Sequence, residues 1–358
     1  TLEGNASIFQ PPVDASGPFG YLAEKASTNL ALQSEDFTTS WTANSVGVVA
    51  NAAVAPDGTT TMDRLAVTAT SGTHDIYKLN TTVAGTNYTH SVYVKNDGAG
   101  FAGICFGHSG NHISVVADLS TGVVTDTEVG GSSGTIVATG CEDAGNGIYR
   151  VWISGSIGGT EGYFIPFLSN AAVPATWGSG RPLYTGVAGE DILIWGAQAE
   201  LGTYPTSYIP TTTTGVLRNA DVLIAGDMVT DAAGSGYSEA STIWQAGGNT
   251  YLLARNYPNL ILYVGAGASN SGSIGTWNGV SSSGSSGTYM YNAPQSLAST
   301  WGNNLTAYYN GIPDATPATY SGTFGTGNLG IGSNNTGANT WNGTIREVKI
   351  FDSELTAA

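Results

Sequence analysis

Short alternations of apolar and polar residues, separated by glycine-rich turns, run along most of this sequence and restrict it to a β-sheet fold. In Tyr88–Lys95 (YTHSVYVK) every second side chain falls on one mostly apolar face, as a strand over a sandwich core requires. The 51 glycines and only 10% charged residues suit short strands joined by tight turns. No segment keeps a 3.6-residue apolar period for three turns. We therefore predict an all-β protein.

The length and one polar run predict how the chain divides. At 358 residues it exceeds one ordinary sandwich and fits two. Residues 203–215 (TYPTSYIPTTTTG) hold two prolines and four consecutive threonines, which disfavour both a helix and a central strand. We therefore predict two tandem antiparallel β-sandwich (jelly-roll) domains, at residues 28–210 and 216–358, that fold independently about a linker at 211–215.

The N-terminal residues 1–27 have a different character. They contain Pro11, Pro12 and Pro18 but no strand-length alternation, which predicts an extended N-terminal arm. Such an arm cannot bury its own apolar side chains, so it is either disordered or ordered by lying on another subunit. The side chains expected to anchor it are Ile8, Phe9, Phe19 and Tyr21.

Charge and hydropathy exclude two classes of partner. The formal charge of −16 would repel phosphate backbones, so nucleic acid is not an expected partner. No stretch approaches the roughly 20 apolar residues of a membrane span, so we expect no membrane insertion. The N-terminus lacks the order of a secretory signal, which means that a signal was removed or that export does not use one. One disulfide between Cys105 and Cys141 is possible.

Catalytic and metal-binding patterns are weak. Glycoside hydrolysis normally needs two carboxylates that face the same bond, whereas the adjacent acidic residues here point to opposite sides of a strand; these pairs are Glu35-Asp36, Glu142-Asp143 and Glu190-Asp191. We therefore expect no catalytic residues and no enzyme. Cys105, His108 and His112 are interpreted as a buried strand cysteine and two solvated histidines at a hairpin tip rather than as a zinc site. No cofactor or metal is predicted, with Asp227 and Asp231 as weak calcium candidates.

Aromatic side chains are the remaining signal for binding. Residues 266–287 are rich in glycine and serine and predict long exposed loops in the second domain. Apolar sugar faces stack on aromatic rings, while Asn, Ser and Thr supply hydrogen bonds. The carbohydrate-binding candidates near or within these loops are Tyr251, Tyr257, Trp277, Tyr289 and Tyr291.

Two groups of segments resemble known families. Asn304–Gly311 (NLTAYYNG), Asn328–Gly332 (NLGIG) and Trp341–Leu355 (WNGTIREVKIFDSEL) resemble, in order and spacing, the closing half of concanavalin A-like/laminin G-like jelly rolls. In Asn304–Gly311 the alternation ends at Asn310-Gly311, a pair typical of a hairpin turn. Trp341, flanked by glycine, is interpreted as a core or closure residue.

Segments of the first domain resemble jelly-roll modules of phage tail-fibre, head-fibre and decoration proteins, which are akin in shape to carbohydrate-binding modules. They are Asn29–Phe37 (NLALQSEDF), Gly145–Arg150 (GNGIYR) and Trp195–Gly202 (WGAQAELG) followed by PTSYIP. The resemblance implies a virion setting without indicating which part of the virion.

These observations predict a non-enzymatic virion surface protein that is adhesive, binds glycans for host attachment and acts outside the cell after lysis. The expected partners are other virion proteins through the arm, host-surface or environmental glycans, and further copies of the chain in a homo-oligomer. A purely structural capsid-decoration or baseplate protein is the alternative. A polysaccharide depolymerase is disfavoured because no suitable pair of carboxylates is present.

Overall fold

A computed structural model describes residues 20–108, 110–229, 231–242, 249–255, 259–265, 273–284, 293–334 and 336–355. All regular structure in these ranges is β-strand, and every pair of named strands is antiparallel. The all-β prediction is thereby confirmed. No helix in the part of the chain that the structure describes is long and apolar enough to cross a membrane.

The first nineteen strands, in chain order, are β1 (Tyr21–Ala23), β2 (Ser27–Asn29), β3 (Thr42–Asn44), β4 (Val46–Ala53), β5 (Met62–Val67), β6 (Ser71–Gly72), β7 (Asp75–Thr81), β8 (Tyr88–Asp97), β9 (Phe101–His108), β10 (Asn111–Asp118), β11 (Val123–Gly130), β12 (Thr135–Gly145), β13 (Ile148–Ser156), β14 (Glu161–Ser169), β15 (Trp177–Gly178), β16 (Arg181–Pro182), β17 (Tyr184–Thr185), β18 (Asp191–Leu201) and β19 (Val216–Arg218). The remaining strands are β20 (Leu223–Ala225), β21 (Gly234–Thr242), β22 (Thr250–Ala254), β23 (Asn259–Gly265), β24 (Ser273–Asn278), β25 (Ser282–Gly284), β26 (Gln295–Trp301), β27 (Asn304–Tyr309), β28 (Ile312–Pro313), β29 (Ala318–Thr319), β30 (Leu329–Ile331) and β31 (Gly343–Phe351).

The described residues form two compact units. The first module comprises residues 27–218 and has two six-stranded sheets, sheet I with order β11-β10-β9-β14-β7-β3 and sheet II with order β12-β13-β8-β18-β5-β4. Apolar side chains from both sheets meet in one core, including Val92 and Ile194 from sheet II and Phe106 and Phe164 from sheet I. This is the sandwich that the alternating strands predict.

The second module comprises residues 20–26 and 219–355 of the described chain. Sheet III has the order β1-β31-β21-β26-β27-β28, and sheet IV has the order β20-β30-β22-β23-β24-β25. Trp341 is fully buried in its core with Trp301 and Phe324, as expected for a closure residue. The two-residue turn Asn310-Gly311 has positive φ at both positions, 48° and 80°, and joins β27 to β28, which is the hairpin geometry that this pair favours.

The chain passes between the modules at other positions than the sequence predicts. Thr211, expected to begin a linker, is buried in the first module, where its N–H donates to Ser34 Oγ (2.8 Å) and its hydroxyl to the Ala31 carbonyl. Strand β19, placed in the second domain by the sequence, pairs with β2 in the first module. The division therefore falls between Arg218 and Asn219, because hydrogen bonds to the start of the module hold the threonine run.

The end of the expected arm also differs from the prediction. Tyr21 lies in β1, which pairs with β31 in sheet III, and it packs against the core of the second module. Burial raises the pKa of its phenol above the usual range. This side chain is therefore a packing residue of the second module. Ile8, Phe9 and Phe19 lie outside the described residues.

Candidate functional site

Strand β26 presents small side chains on the outer face of sheet III. Its larger residues Leu297 and Trp301 are fully buried in the core. Because side chains alternate along a strand, Ser296, Ala298 and Thr300 fall on the opposite face. A line of small side chains therefore runs along the middle of the outer surface of this sheet.

Tyrosines flank this line on both sides. Ala298 is the register partner of Tyr237 on β21 and of Tyr308 on β27, so the three residues form one row across three neighbouring strands. The two tyrosines are separated by two strand spacings, about 9.5 Å in a regular sheet, with only the Ala298 methyl group between them. Both are half-buried. The row forms a slot with aromatic walls and an alanine floor.

The slot belongs to a cavity of about 480 Å³, which we call the tyrosine groove. Its lining consists of Ser235, Gly236, Tyr237, Ser296, Ala298, Ser299, Thr300, Tyr308, Gly311, Lys349, Phe351 and Leu355. Cavities of this size are typical of small-molecule sites. The groove combines aromatic and aliphatic walls with several hydroxyl groups, and it has no Asp or Glu among its described lining residues.

At one end of the groove, two hydrogen bonds of the Ser235 hydroxyl group hold the segment that follows β31. Ser235 Oγ donates to the Ser353 carbonyl (2.8 Å) and accepts from the Leu355 N–H (2.8 Å). These two bonds bring the segment after β31 back over the start of β21, where Phe351 and Leu355 line the cavity. These hydrogen bonds fix the shape of this wall of the groove, and they occupy the hydroxyl group of Ser235.

Lys349 is the one charged residue in the described lining of the groove, and it already forms an ion pair. Lys349 Nζ lies 2.7 Å from Glu347 Oε1 and 5.6 Å from the centre of the Tyr237 ring. The hydrogen bond to Glu347 raises the pKa of Lys349. The Tyr237 hydroxyl lies 3.3 Å from Ser296 Oγ. These contacts orient the Tyr237 ring at the side of the slot.

The sequence-predicted aromatic residues lie elsewhere. Tyr251 is 5% exposed and packs with Leu260 on sheet IV, while half-buried Trp277 lies in β24 opposite Leu260. Part of the expected loop, residues 273–284, forms β24, β25 and their turn, so Trp277 is not on a free loop. Tyr257, Tyr289 and Tyr291 lie outside the described residues. Of the five candidates, the structure brings together Tyr251 and Trp277 in one cluster, with Tyr263 beside them.

Sequence reasoning missed Tyr237 and Tyr308, although a local signal existed. In the segment Gln295–Trp301 (QSLASTW), every residue on one face is small, namely Ser296, Ala298 and Thr300, which predicts one face with an unusually flat surface. The signal becomes a site only when the neighbouring strands are known, and both have a tyrosine in register with Ala298.

Of the two weak metal candidates, Asp227 has another role. The Asp227 carboxylate pairs with buried Arg255 and accepts the Gly327 N–H (3.1 Å). Among the residues that the structure describes, no group of three or more His, Cys, Asp or Glu side chains could hold a metal ion, and this includes the surroundings of Asp231. The expectation that His112 is solvated is wrong. It is 4% exposed, and its Nε2 lies 2.6 Å from Glu128 Oε2.

The two cysteines are not paired. Cys105 lies on the outer face of sheet I, whereas Cys141 is in sheet II and packs against the core between the sheets. Burial raises the pKa of each thiol to about 12. Both side chains therefore behave as small apolar groups.

A strap of the chain covers much of the outer face of sheet I. The Ala172 carbonyl accepts from Thr125 Oγ1 and the Gly180 carbonyl accepts from Ser114 Oγ, both at 2.7 Å. Between them, Trp177 packs edge-on against Phe167 with ring centres 6.3 Å apart. The first module therefore covers this sheet face with its own residues 172–180.

One comparison with known proteins covers most of the second module. Residues 234–358 match the family model described as the concanavalin A-like lectin/glucanases superfamily, so this part of the chain is similar to domains of that superfamily. A solved structure from Bacteroides ovatus ATCC 8483, provisionally described as a carbohydrate-binding protein, is similar at 10% identity with a TM-score of 0.30, covering 80% of this chain and 78% of that chain. No curated protein matches the chain.

Proposed function

We propose that this chain is a non-enzymatic glycan-binding protein and that the tyrosine groove holds a sugar ring between Tyr237 and Tyr308. The observation that carries the proposal is the row Tyr237–Ala298–Tyr308, in which two rings face a slot one strand wide. Pyranose rings have apolar C–H faces that stack on aromatic rings, and their hydroxyl groups bond to side chains such as Ser296. The lectin-like family match of residues 234–358 supports this function.

The composition of the groove favours binding over hydrolysis. Glycosidases place two carboxylates about 5–9.5 Å apart across the bond that they cleave, and the described lining has none. The acidic residues nearest in the register, Glu239 and Glu347, form ion pairs with Arg346 and Lys349. A depolymerase would require two carboxylates within the groove, and the described lining contains none.

A virion setting is the second part of the proposal. It is supported by the segments of the first module that resemble phage fibre and decoration modules, and it implies display of several copies on a particle. Several copies would also compensate for weak single sites, because linked sites gain affinity from effective concentration. Immunogold labelling of particles tests this part, and a protein absent from purified virions would contradict it.

The groove is tested by filling it and by removing its walls. Ala298→Leu should abolish glycan binding because the larger side chain occupies the slot. Tyr237→Ala and Tyr308→Ala should each weaken binding about fivefold, the equivalent of about 1 kcal/mol for one stacked ring. Val280→Ala is the control, since Val280 is 71% exposed in the same module and does not line the groove.

Binding is measured by a glycan array followed by calorimetry, with melting temperature recorded for each variant. Retained binding by Ala298→Leu, together with loss of binding in Trp277→Ala, would instead place the site at Trp277, one of the residues that the sequence predicted. Absence of binding to any glycan would favour the purely structural role.

A further inference from the structure

The charges of the second module indicate which class of sugar the groove accepts. Within the second module, residues 219–358 contain three cations, and each forms an ion pair; the pairs are Arg255–Asp227, Arg346–Glu239 at 3.0 Å and Lys349–Glu347 at 2.7 Å. Lys25 is a fourth cation of the module, and the module contains nine carboxylates, which are Glu24 and the eight in residues 219–358. The module therefore carries an excess of negative charge, and the cations of residues 219–358 are already paired.

We infer that the groove selects neutral sugars over sugars that carry a carboxylate; this inference rests on the proposed glycan-binding function. A uronic acid in the tyrosine groove has Lys349 as the one cation of the described lining, and Lys349 lies on β31, next to Tyr237 on the side away from Ala298. To pair with it, the ligand must displace Glu347 or share the ammonium group with it, and in both cases it brings a further negative charge to a module with an excess of carboxylates. Displacement only exchanges one carboxylate for another, and sharing places two carboxylates side by side on one cation, so little is gained in either case.

The uncharged groups of the groove match a neutral ligand. Ser296 and Tyr308 provide hydroxyl groups, which both donate and accept hydrogen bonds. A sugar hydroxyl does the same, so either partner can adapt its proton to the other. The Tyr237 ring supplies an apolar face, and Lys349 above it is held by Glu347. Neutral rings can use all these groups without breaking an ion pair.

The inference also identifies Glu347 as the specificity residue. Its carboxylate occupies the position next to Lys349 Nζ that a ligand carboxylate would take. Glu347→Gln removes this charge and leaves Lys349 free to pair with a ligand. We expect the variant to gain binding to acidic sugars by about two- to fivefold, the range of one exposed ion pair, while its binding to neutral sugars stays within about twofold.

The experiment uses the full chain with mannan, dextran and galactan as neutral probes and with alginate and polygalacturonate as acidic probes. Affinity electrophoresis at low and physiological salt ranks the two classes, and neutral probes should bind at least about tenfold more tightly at low salt. The matched control is Glu161→Gln, which makes the same charge change at an exposed position of the first module.

The outcomes separate this inference from the proposed function. Equal or tighter binding of the acidic probes by the unmodified chain would overturn the inference and leave glycan binding intact. An equal gain in Glu161→Gln and Glu347→Gln would also overturn it, because the effect would then be one of net charge. No binding to either class would refute the proposed function and the inference with it.

Discussion

Replacement of Glu200 should test how the motif WGAQAELG, followed by PTSYIP, stabilises the first module. Glu200 is fully buried at the end of β18. Its Oε1 accepts from Gln198 Nε2 (2.7 Å) and from the Thr206 N–H (2.8 Å), and its Oε2 accepts from the hydroxyl groups of Thr206 (2.8 Å) and Ser27. One carboxylate thus joins β18 to the 203–208 loop and to β2.

The cost of Glu200→Ala follows from which donors lose their acceptor. The Gln198 amide keeps a second acceptor, the Thr206 carbonyl, at 3.1 Å. The two hydroxyl groups can rotate, but the Thr206 N–H has no other acceptor. A buried donor without an acceptor costs about 1–3 kcal/mol. Together with the cavity left by the side chain, this should lower the free energy of unfolding by about 3 kcal/mol. In Glu200→Gln the hydroxyl groups can accept from the new amide, so about 1 kcal/mol is expected.

Differential scanning calorimetry measures both variants. For a domain of this size 1 kcal/mol corresponds to about 2–4 °C, so Glu200→Ala should lower the first-module transition by about 6–12 °C and Glu200→Gln by about 2–4 °C. The transition of the second module should not move. A loss below 2 °C in Glu200→Ala, or equal shifts of both transitions, would show that this carboxylate does not stabilise the loop as argued.

Two further predictions concern the first module. His90 is fully buried between Phe106 and Phe164, with ring centres 4.3 and 4.8 Å away, and burial lowers its pKa from 6.5 to about 3. As the pH falls, the unfolded chain therefore binds the extra proton first, so the free energy of unfolding should decrease between pH 6.5 and pH 3. His90→Leu should flatten this part of the stability–pH curve, and an unchanged slope would contradict the prediction. A fragment of residues 27–218 should give a cooperative melt, whereas one of residues 27–210 should melt lower, since it lacks the bonds of Thr211 to Ser34 and Ala31; equal melting temperatures would return the boundary to the threonine run.

Local patterns determined which parts of the fold were predictable. The alternation in Tyr88–Lys95 became β8, which runs from Tyr88 to Asp97, and the Asn310-Gly311 pair became a hairpin turn. Both depend on neighbours in sequence. The module boundary depended on distant partners, because Thr211 is held by residues about 180 positions earlier. The threonine run has the composition of a linker, but its hydrogen bonds make it part of a module.

The groove was unpredictable for the same reason. Adjacent Tyr308 and Tyr309 must face opposite sides of a strand, but the sequence does not say which of them faces the core. The structure gives the answer, because Tyr309 packs on the core and Tyr308 lines the groove. The partner wall, Tyr237, lies about 70 residues away, and only strand order brings it into the same row. Loop composition favoured the 266–287 region instead, where Trp277 proved to be a strand residue.

The use of aromatic side chains differs between the modules and supports assigning glycan binding to the second. In the first module, Trp177 of the strap packs on sheet I. On sheet II, Tyr204 packs on Trp152 at 5.3 Å and Tyr208 packs on Trp195 at 4.5 Å. These rings are occupied by residues of the same chain, and a ligand would have to displace packed loops to reach them. In the second module, the row of Tyr237 and Tyr308 instead borders a cavity of about 480 Å³. A ligand that enters this cavity would gain stacking without breaking packing, and for this reason we propose the groove, and not the first module, as the sugar site.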